Sequence, residues 1–174
     1  MTIIGIAAVA KNGAIGRKGE IPWHYSEDFR FFKQVTANSA ITVGLTTFGD
    51  TGRLPKRMNV VLSFEPVTDR KDIININSIQ QALLLSKYLK NPMFIIGGSS
   101  VYKAFIPHVD YWWITHIPLE PDDCDAFMPE GFREGCQEVY RVELAEGLDA
   151  VLYEKNRTAY FDQYEQNGGY PCGL

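Results

Sequence analysis

Cysteine is scarce in this chain: Cys124, Cys136 and Cys172 are the only three among 174 residues. They are odd in number, far apart, and form no C-x-x-C pair. A disulfide framework is therefore not expected, and a reducing cytoplasm fits the usage. The three histidines, His24, His108 and His116, also lack ligand spacing, so no metal centre is expected. Basic residues do not dominate either. Lys and Arg number 17 against 21 acids, a net charge of −4, which offers no basic surface to nucleic acid. No apolar run approaches the roughly 20 residues of a membrane span. Met1 to Ile6 lacks a basic region followed by a long apolar stretch, and reads as a first strand and not as a signal peptide. Two phosphate-binding signatures are missing as well. Without G-x-G-x-x-G the usual dinucleotide fold is not indicated, and without G-x4-G-K-[ST] P-loop ATP hydrolysis is disfavoured.

What is present suits one globular domain with a substantial core: 45% apolar and 22% charged residues. Thr2 to Ala10 is apolar and β-rich, and Lys11-Asn12-Gly13 breaks it. Gly13 to His24 reads as a glycine-punctuated loop ending in Ile21-Pro22-Trp23. Ser26 is the expected N-cap of a helix running to about Asn38. Strands are expected over 40–43, 59–63, 72–75, 93–96 and 110–117. A short helical turn should follow Gly44 through Phe48, and a helix should run from Val101 to Phe105. Ser78 and Gln81 form a capping-box signature for a helix over 79–89. Residues 137–144 and 150–155 read as paired strands around Glu146-Gly147. Strands alternating with about four helices imply an α/β fold with a largely parallel sheet, and the closing hairpin implies an antiparallel edge. Residues 1–156 are expected to form the domain, and 157–174 a polar, aromatic tail of unknown role.

Four constellations could carry chemistry. Asp28 shares a helix face with Phe32 and lies beside Phe29, where an ionised carboxylate is costly unless something pairs with it. A cationic or amidine-like ligand edge would supply that pairing; read alone, Asp28 better suits a solvated helix start. Glu27 points about 100° away. Gly97-Gly98 and Val43-Gly44 each join a strand to a helix start, where phosphates can approach backbone N–H groups. Each alone is better read as a tight turn. Arg57 could grip a carboxylate with two parallel hydrogen bonds, or be an ordinary surface arginine.

The order and spacing of these pieces are more specific than any one of them. Ile6-Ala7-Ala8, Ile15-Gly16, Ile21-Pro22-Trp23, Asp28-Phe29, Phe32-Lys33, Gly44, Thr47-Phe48, Arg57-Met58-Asn59, Ile96-Gly97-Gly98, Val101-Tyr102 and Thr115-His116-Ile117 together resemble dihydrofolate reductase, over residues 2–155. The resemblance implies a central eight-stranded, mostly parallel sheet flanked by helices. It also implies reduction of 7,8-dihydrofolate to 5,6,7,8-tetrahydrofolate by hydride from NADPH, serving one-carbon and thymidylate metabolism.

Asp28 then matches the acid that grips the 2-amino and N3 side of the pterin, with a raised pKa, and promotes N5 protonation through water. Thr115 matches the hydroxyl that bonds this acid, Trp23 the residue that orders water there, and Tyr102 a further active-site residue beside the nicotinamide. Ile6, Ala8, Phe29, Phe32, Leu54 and Ile96 match the apolar walls around the pterin and aminobenzoyl rings. Arg57 matches the arginine that binds the glutamate tail. Cofactor contacts fall on Ala8, Ile15, Gly16, Gly44, Thr46, Thr47, Ser63, Gly97, Gly98, Ser99, Ser100, Val101 and Tyr102. Residues 13–24 match a loop that closes over the nicotinamide.

The chain departs from that pattern at the cofactor end. Leu45, Thr46, Phe64 and Ser100 stand where many relatives carry basic or hydroxyl groups for the 2′-phosphate of NADPH. Contacts of that kind are worth about 1.5–3 kcal/mol each. Their loss implies weaker selection for NADPH and some use of NADH, unless nearby Arg70 or Lys71 substitutes; NADPH is the default. Thr51 replaces a large apolar side chain near the benzoyl ring. Dihydrofolate and antifolates are the expected ligands, without nucleic-acid or membrane partners, and a monomer is the default. Two other readings share some of these features: a pyrimidine reductase of riboflavin synthesis, and a folate- or nucleotide-binding protein with a structural role.

Overall fold

A computed structural model describes residues 2–67 and 72–156. Arg70, Lys71, Cys172 and the whole 157–174 tail lie outside the described residues. The element order is β1 (Ile3–Ala10), β2 (Ala14–Gly16), α1 (Ser26–Val35), β3 (Ala40–Gly44), α2 (Leu45–Thr51), β4 (Met58–Leu62), β5 (Ile73–Ile76) and α3 (Ile79–Ser86). There follow β6 (Met93–Ile95), α4 (Ser99–Phe105), a 3₁₀ turn (Ile106–His108), β7 (Tyr111–Ile117), β8 (Ala126–Phe127), β9 (Cys136–Ala145) and β10 (Leu148–Lys155). Eight strands form one sheet in the order β5-β4-β3-β6-β1-β7-β10-β9. The first six are mutually parallel, and β10 runs antiparallel to both β7 and β9. The α/β architecture expected from the sequence, with its mostly parallel sheet and antiparallel C-terminal edge, is the one that forms.

Parallel strands read as continuous apolar runs because helices cover both faces. On one face Ile3, Ala7 and Val9 of β1 pack with Ala82 of α3 and with Val101, Tyr102 and Phe105 of α4. On the other, Ile6, Ile41 and Phe94 pack with Phe32 and Val35 of α1. Phe48 anchors α2 on Val43 and Val61. The carboxyl ends of β1, β3 and β6 therefore meet beside the first turns of three helices.

Several element boundaries differ from the sequence expectation. Ser26 is the first helical residue and not the cap: its hydroxyl donates to Glu27 Oε1 at 2.9 Å, and Tyr25 takes the cap position without a side-chain bond. The neighbouring carboxylate outcompetes the backbone for that hydroxyl. Helix α1 stops at Val35, short of Asn38. The Thr36 hydroxyl bonds the Phe32 carbonyl at 2.7 Å, Asn38 turns left-handed at φ 58°, and its N–H goes to Lys56. Helix α2 runs three residues past Phe48, because that ring is buried as its anchor. Helix α3 stops at Ser86 and not at Leu89, since its last N–H groups tighten onto carbonyls three residues back. Its start follows the expected pattern in altered form. Gln81 N–H donates to Ser78 Oγ at 3.4 Å, and Gln81 Oε1 accepts from Asn77 N–H at 2.9 Å instead of from Ser78. The 13–24 loop contains β2, which pairs with β8 in a separate two-stranded sheet that the sequence did not reveal.

The centre of the sheet is locked by one close approach. Gly5 lies opposite Trp112 in the β1–β7 register, and a Cβ on Gly5 would sit 2.1 Å from the Trp112 ring. The indole is fully buried and meets Phe132 edge-on, with centroids 5.2 Å apart. It has nowhere to retreat. Gly5→Ala should therefore destabilise the fold by about 1–3 kcal/mol or more through overpacking, read as a lowered urea midpoint with an unchanged slope.

Candidate active site

The site begins with two adjacent acids in the first turn of α1 whose environments differ. Glu27 is half-buried, and its pKa is lowered by its own backbone N–H, by Ser26 and by Arg30. Asp28, one residue on, turns toward the sheet and is partly buried. Desolvation raises its pKa, and a hydrogen bond from the Thr115 side chain pulls the other way without cancelling the rise. Thr115 is itself buried on β7, in register with Ala8 on one side and Ala150 on the other. Two alanines beside the threonine leave width for a carboxyl group, and for a flat ring edge against it. Trp23 adds a second polar feature nearby. Its ring packs with Ala8, Ala10 and Ala14, and its buried Nε1 has no hydrogen-bond partner among the described residues. A buried indole N–H without an acceptor is costly, and it marks a place suited to water or a ligand atom.

The expected apolar walls come together in one cluster. Ile6, Phe32, Leu54 and Ile96 pack around Ile41 and Phe94 on the α1 face of the sheet. Ala8 belongs instead to the Trp23 cluster, and Phe29 leaves both, its ring 5.4 Å from His24. Arg57 closes the outer end. Its Nε donates to Thr36 Oγ1 at 2.7 Å, Nη1 to the Pro55 carbonyl at 2.7 Å and Nη2 to the Lys33 carbonyl at 2.9 Å, with the guanidinium 5.6 Å from the Phe32 ring centre. Three of its five N–H donors are spent on fixing the fork. The remaining two can meet a carboxylate in a set orientation. Thr51 is exposed, and its hydroxyl turns back onto the Thr47 carbonyl at 2.9 Å.

The two glycine turns lie side by side. Gly44 N–H donates to the Gly97 carbonyl at 2.8 Å, which draws the ends of β3 and β6 together. Gly97 has φ 105°, and a Cβ there would meet the Tyr102 ring at 2.9 Å. A Cβ on Gly98 would lie 2.9 Å from Thr47 Oγ1, and one on Gly44 2.9 Å from Val101 Cγ2. Side chains at these three positions would collide with Tyr102, Thr47 and Val101, so glycine is what lets these turns close up, and the bare backbone that results fits a dinucleotide diphosphate. The buried Tyr102 hydroxyl donates to the Ile6 carbonyl at 2.7 Å, tying α4 to β1, and burial pushes its pKa up. Val101 is buried beside it, Ser99 and Thr47 are half-buried, and Thr46 and Ser100 are exposed. Ser63 is buried at the end of β4, farther along the same edge.

Some supporting residues gave weak sequence signals or none. Asn59 is buried, accepts from Leu54 N–H at 2.9 Å, and donates to the Leu54 and Arg57 carbonyls at 2.9 and 3.0 Å. It shapes the turn that carries Leu54 and Arg57. Its traces were a lone amide at the head of the apolar run Val60-Val61-Leu62 and its place in the Arg57-Met58-Asn59 element. The 13–24 loop, with Ile15 and Gly16, is pinned by β8, by Met128 N–H onto the Gly13 carbonyl at 2.9 Å, and by Lys18 N–H onto the Asp125 carboxylate at 3.0 Å. Ser99 Oγ bonds the Phe127 carbonyl, so the same hairpin reaches the start of α4. The contacts of the 13–24 loop span more than a hundred residues of sequence and that of Ser99 spans 28, and no local pattern announces them.

Comparison with known proteins agrees with this geometry. The sequence profile of the family described as dihydrofolate reductase matches residues 2–157. A dihydrofolate reductase of Buchnera aphidicola (subsp. Acyrthosiphon pisum) is 37% identical over 132 residues, covering 75% of this chain and 80% of that protein. The type 3 dihydrofolate reductase of Salmonella typhimurium is 37% identical over 142 residues, covering 81% and 86%. Among solved structures, dihydrofolate reductase from Enterococcus faecalis, complexed with NADP(H) and RAB-propyl, superposes with a TM-score of 0.81 at 29% identity, covering 89% of this chain and 96% of that one. With the family profile, the relatives and the solved structure in agreement, the chain belongs to the dihydrofolate reductase family.

Proposed function

We propose that this chain reduces 7,8-dihydrofolate to 5,6,7,8-tetrahydrofolate with NADPH as hydride donor, and that Asp28 is the group on which the reaction turns. The observation that carries this reading is a partly buried carboxyl, raised in pKa by desolvation and hydrogen-bonded by Thr115, on the helix whose Phe32 packs with Ile6, Leu54 and Ile96. A pterin offers an amidine-like edge of matching polarity: its 2-amino and N3 groups donate to the two carboxylate oxygens. Fixing that edge against Asp28 sets the rest of the ring over Ala8 and the end of β1. The raised pKa keeps a proton available near the ring. Trp23 Nε1 lies unpaired on the same side, suited to hold the water that relays the proton toward N5. Bound NADPH supplies the hydride to C6 of the substrate. The backbone at Gly44, Gly97 and Gly98, with Thr47, would hold its diphosphate, and Ile15 and Gly16 would screen the nicotinamide from water. Arg57 would take the glutamate carboxylate of the substrate with its two uncommitted donors. Antifolates with a diaminopyrimidine edge would meet Asp28 through the same pairing.

The chain is further inferred to act as a cytoplasmic monomer without nucleic-acid partners. Cys124 and Cys136 are free thiols, and the net charge of −4 repels a polyanion. The outer strand β9 carries Arg141 bonded to Glu138 and Asp149, and such charge discourages edge-to-edge pairing.

Asp28→Asn should cut kcat at neutral pH by about 10²–10⁴, followed as cofactor oxidation in the presence of dihydrofolate, while Glu27→Gln leaves it nearly unchanged. Near-native turnover in the Asp28 variant would reject the assignment. The same variant should be more stable than the native protein at neutral pH. The folded pKa of Asp28 lies above its ordinary value of 3.8, so this group's contribution is fully present below that value and is lost as pH rises through the folded pKa. Asparagine avoids the loss. Thermal melts should therefore show a gain at neutral pH that vanishes below pH 3.8. Arg57→Ala should raise KM for dihydrofolate by about 10- to 100-fold with kcat little changed, as expected for loss of a charge-assisted pair. A pterin lacking the glutamate tail should register no such change.

A further inference from the structure

The end of β10 opens onto a groove. Asn156 follows the strand, and its N–H donates to the Gly135 carbonyl at 2.9 Å, which fixes the point where the described chain leaves the sheet. The groove it lines measures about 540 Å³ and also takes in Tyr111, Gln137 and Glu154. These three lie across β7, β10 and β9, Tyr111 in register with Glu154 and Glu154 with Gln137. Thr2 and Asp110, which precede β1 and β7, line it too. The groove therefore sits at the amino ends of the parallel strands, away from the carboxyl ends that hold the active site. Its exposed charge is negative. Asp110 accepts from Ile3 N–H and Glu154 from the Tyr111 hydroxyl, each at 2.8 Å. Lys155, the one cation of the lining, is buried and turns its Nζ to the Ile106 carbonyl at 2.7 Å.

Side chains two residues apart on a strand share a face. One step from the groove, on the α1 face, come Trp113, Leu152 and Tyr140. A register shift between Leu152 and Tyr153 puts Tyr140, and not Val139, opposite Leu152. Phe31 of α1 meets Trp113 edge-on with centroids 5.0 Å apart, and Trp113 meets Tyr140 at 6.2 Å. Tyr140 is nevertheless 58% exposed, on an edge strand whose residues 137–141 all face water. A line of aromatic rings that starts at α1 thus ends in solvent beside an acidic groove.

We propose that this face is the seat of the chain's own carboxyl-terminal segment: Arg157 lies against Glu154, and Tyr160 and Phe161 pack on Tyr140 and Trp113, strapping β9 to α1. Residues 157–174 begin at the groove's lip, their one cation is Arg157, and they carry Tyr160, Phe161, Tyr164 and Tyr170. Charge and ring content both match what the face offers. The reach suffices, because the Tyr140 row lies about 7 Å from the groove and four residues beyond Asn156 span up to about 13 Å. Tethering gives the segment an effective concentration on the order of mM, so contacts too weak to recruit a separate chain hold it. Phe31 stands three residues after Asp28, so the strap braces the helix that carries the acid.

Trypsin reads the strap in the full chain under native conditions, since cutting after Arg157 releases residues 158–174 for mass spectrometry. That cut should be at least about tenfold slower than in a synthetic peptide of residues 156–164, because a docked bond is cleaved in proportion to its open population. Tyr140→Ser, at an exposed position, should speed it by about two- to twelvefold, the range for an aromatic pair, and Tyr160→Ser combined with Phe161→Ser by a similar factor. Glu154→Gln should speed it by about 1.5- to 5-fold, as for an exposed ion pair. Cutting after Lys103, within α4, reports opening of the whole domain and should keep its native rate in every variant. Release at the peptide's rate, indifference to any of these variants, or acceleration only in step with the cut at Lys103 would overturn the strap. Protection lost on dilution would overturn it too, by placing the segment on a second copy of the chain.

Discussion

Everything at the site depends on placing a carboxyl group where water cannot fully reach it and then setting one hydroxyl, that of Thr115, against it. Thr115 softens the desolvation of Asp28 but does not remove it, so the acid stays poised for a ligand with donors to offer. The sheet has to supply three things for this to hold. A small-residue gap on either side of Thr115 comes from Ala8 and Ala150. A fixed distance from α1 to the sheet comes from Phe32 and Val35, packed on Ile6, Ile41 and Phe94. A rigid floor comes from Trp112 seated over Gly5 on the reverse face. Loosening any of them would admit water and return Asp28 toward an ordinary surface acid.

Around that acid, polar side chains serve chiefly to hold backbone and cation in place. Arg57 spends three donors on its own surroundings, Asn59 shapes the turn beneath it, and Asn75 straps the turn that follows β4. Each is a hydrogen bond worth about 1 kcal/mol net. Their larger value is entropic, since a group fixed before the ligand arrives is not ordered at the ligand's expense. The glycine turns do the complementary job by removing atoms. Gly44 and Gly98 could not carry a Cβ without displacing Val101 or Thr47.

How much of this could be read from the chain varies with the range of the interaction. The apolar strands, the Asn-Gly and Gly-Gly breaks and the hairpin at Glu146-Gly147 are local, and they gave the α/β class and the position of nearly every strand. Asp28 stood out because a helical face put a charge beside aromatic rings. What stayed hidden was non-local or competitive. Strand β2 is three residues long and exists because β8 pairs with it from more than a hundred residues away. Ser26 looked like a cap, but Glu27 takes its hydroxyl. Phe29 matched a wall residue by position, yet its ring lies against His24 and outside the main apolar cluster. Thr36 gave no sign that it would orient Arg57, since that contact joins segments 21 residues apart.

Glu27 and Asp28 show most plainly why residue type alone does not define a site. They are neighbours, both acids, both in the first turn of one helix where the dipole favours negative charge. The helical step of about 100° separates them. One faces water and Arg30 and is held charged; the other faces the sheet and is pushed toward its protonated form. The lowering at Glu27 is sequence-local, from its own N–H, Ser26 and Arg30. The rise at Asp28 is not: it comes from the burial that the sheet imposes on that side chain. The strand order that sets Thr115 and its flanking alanines across from position 28 is therefore as much a part of the chemistry as the carboxyl. A graft of the α1 sequence onto another scaffold would carry the acid without its altered pKa.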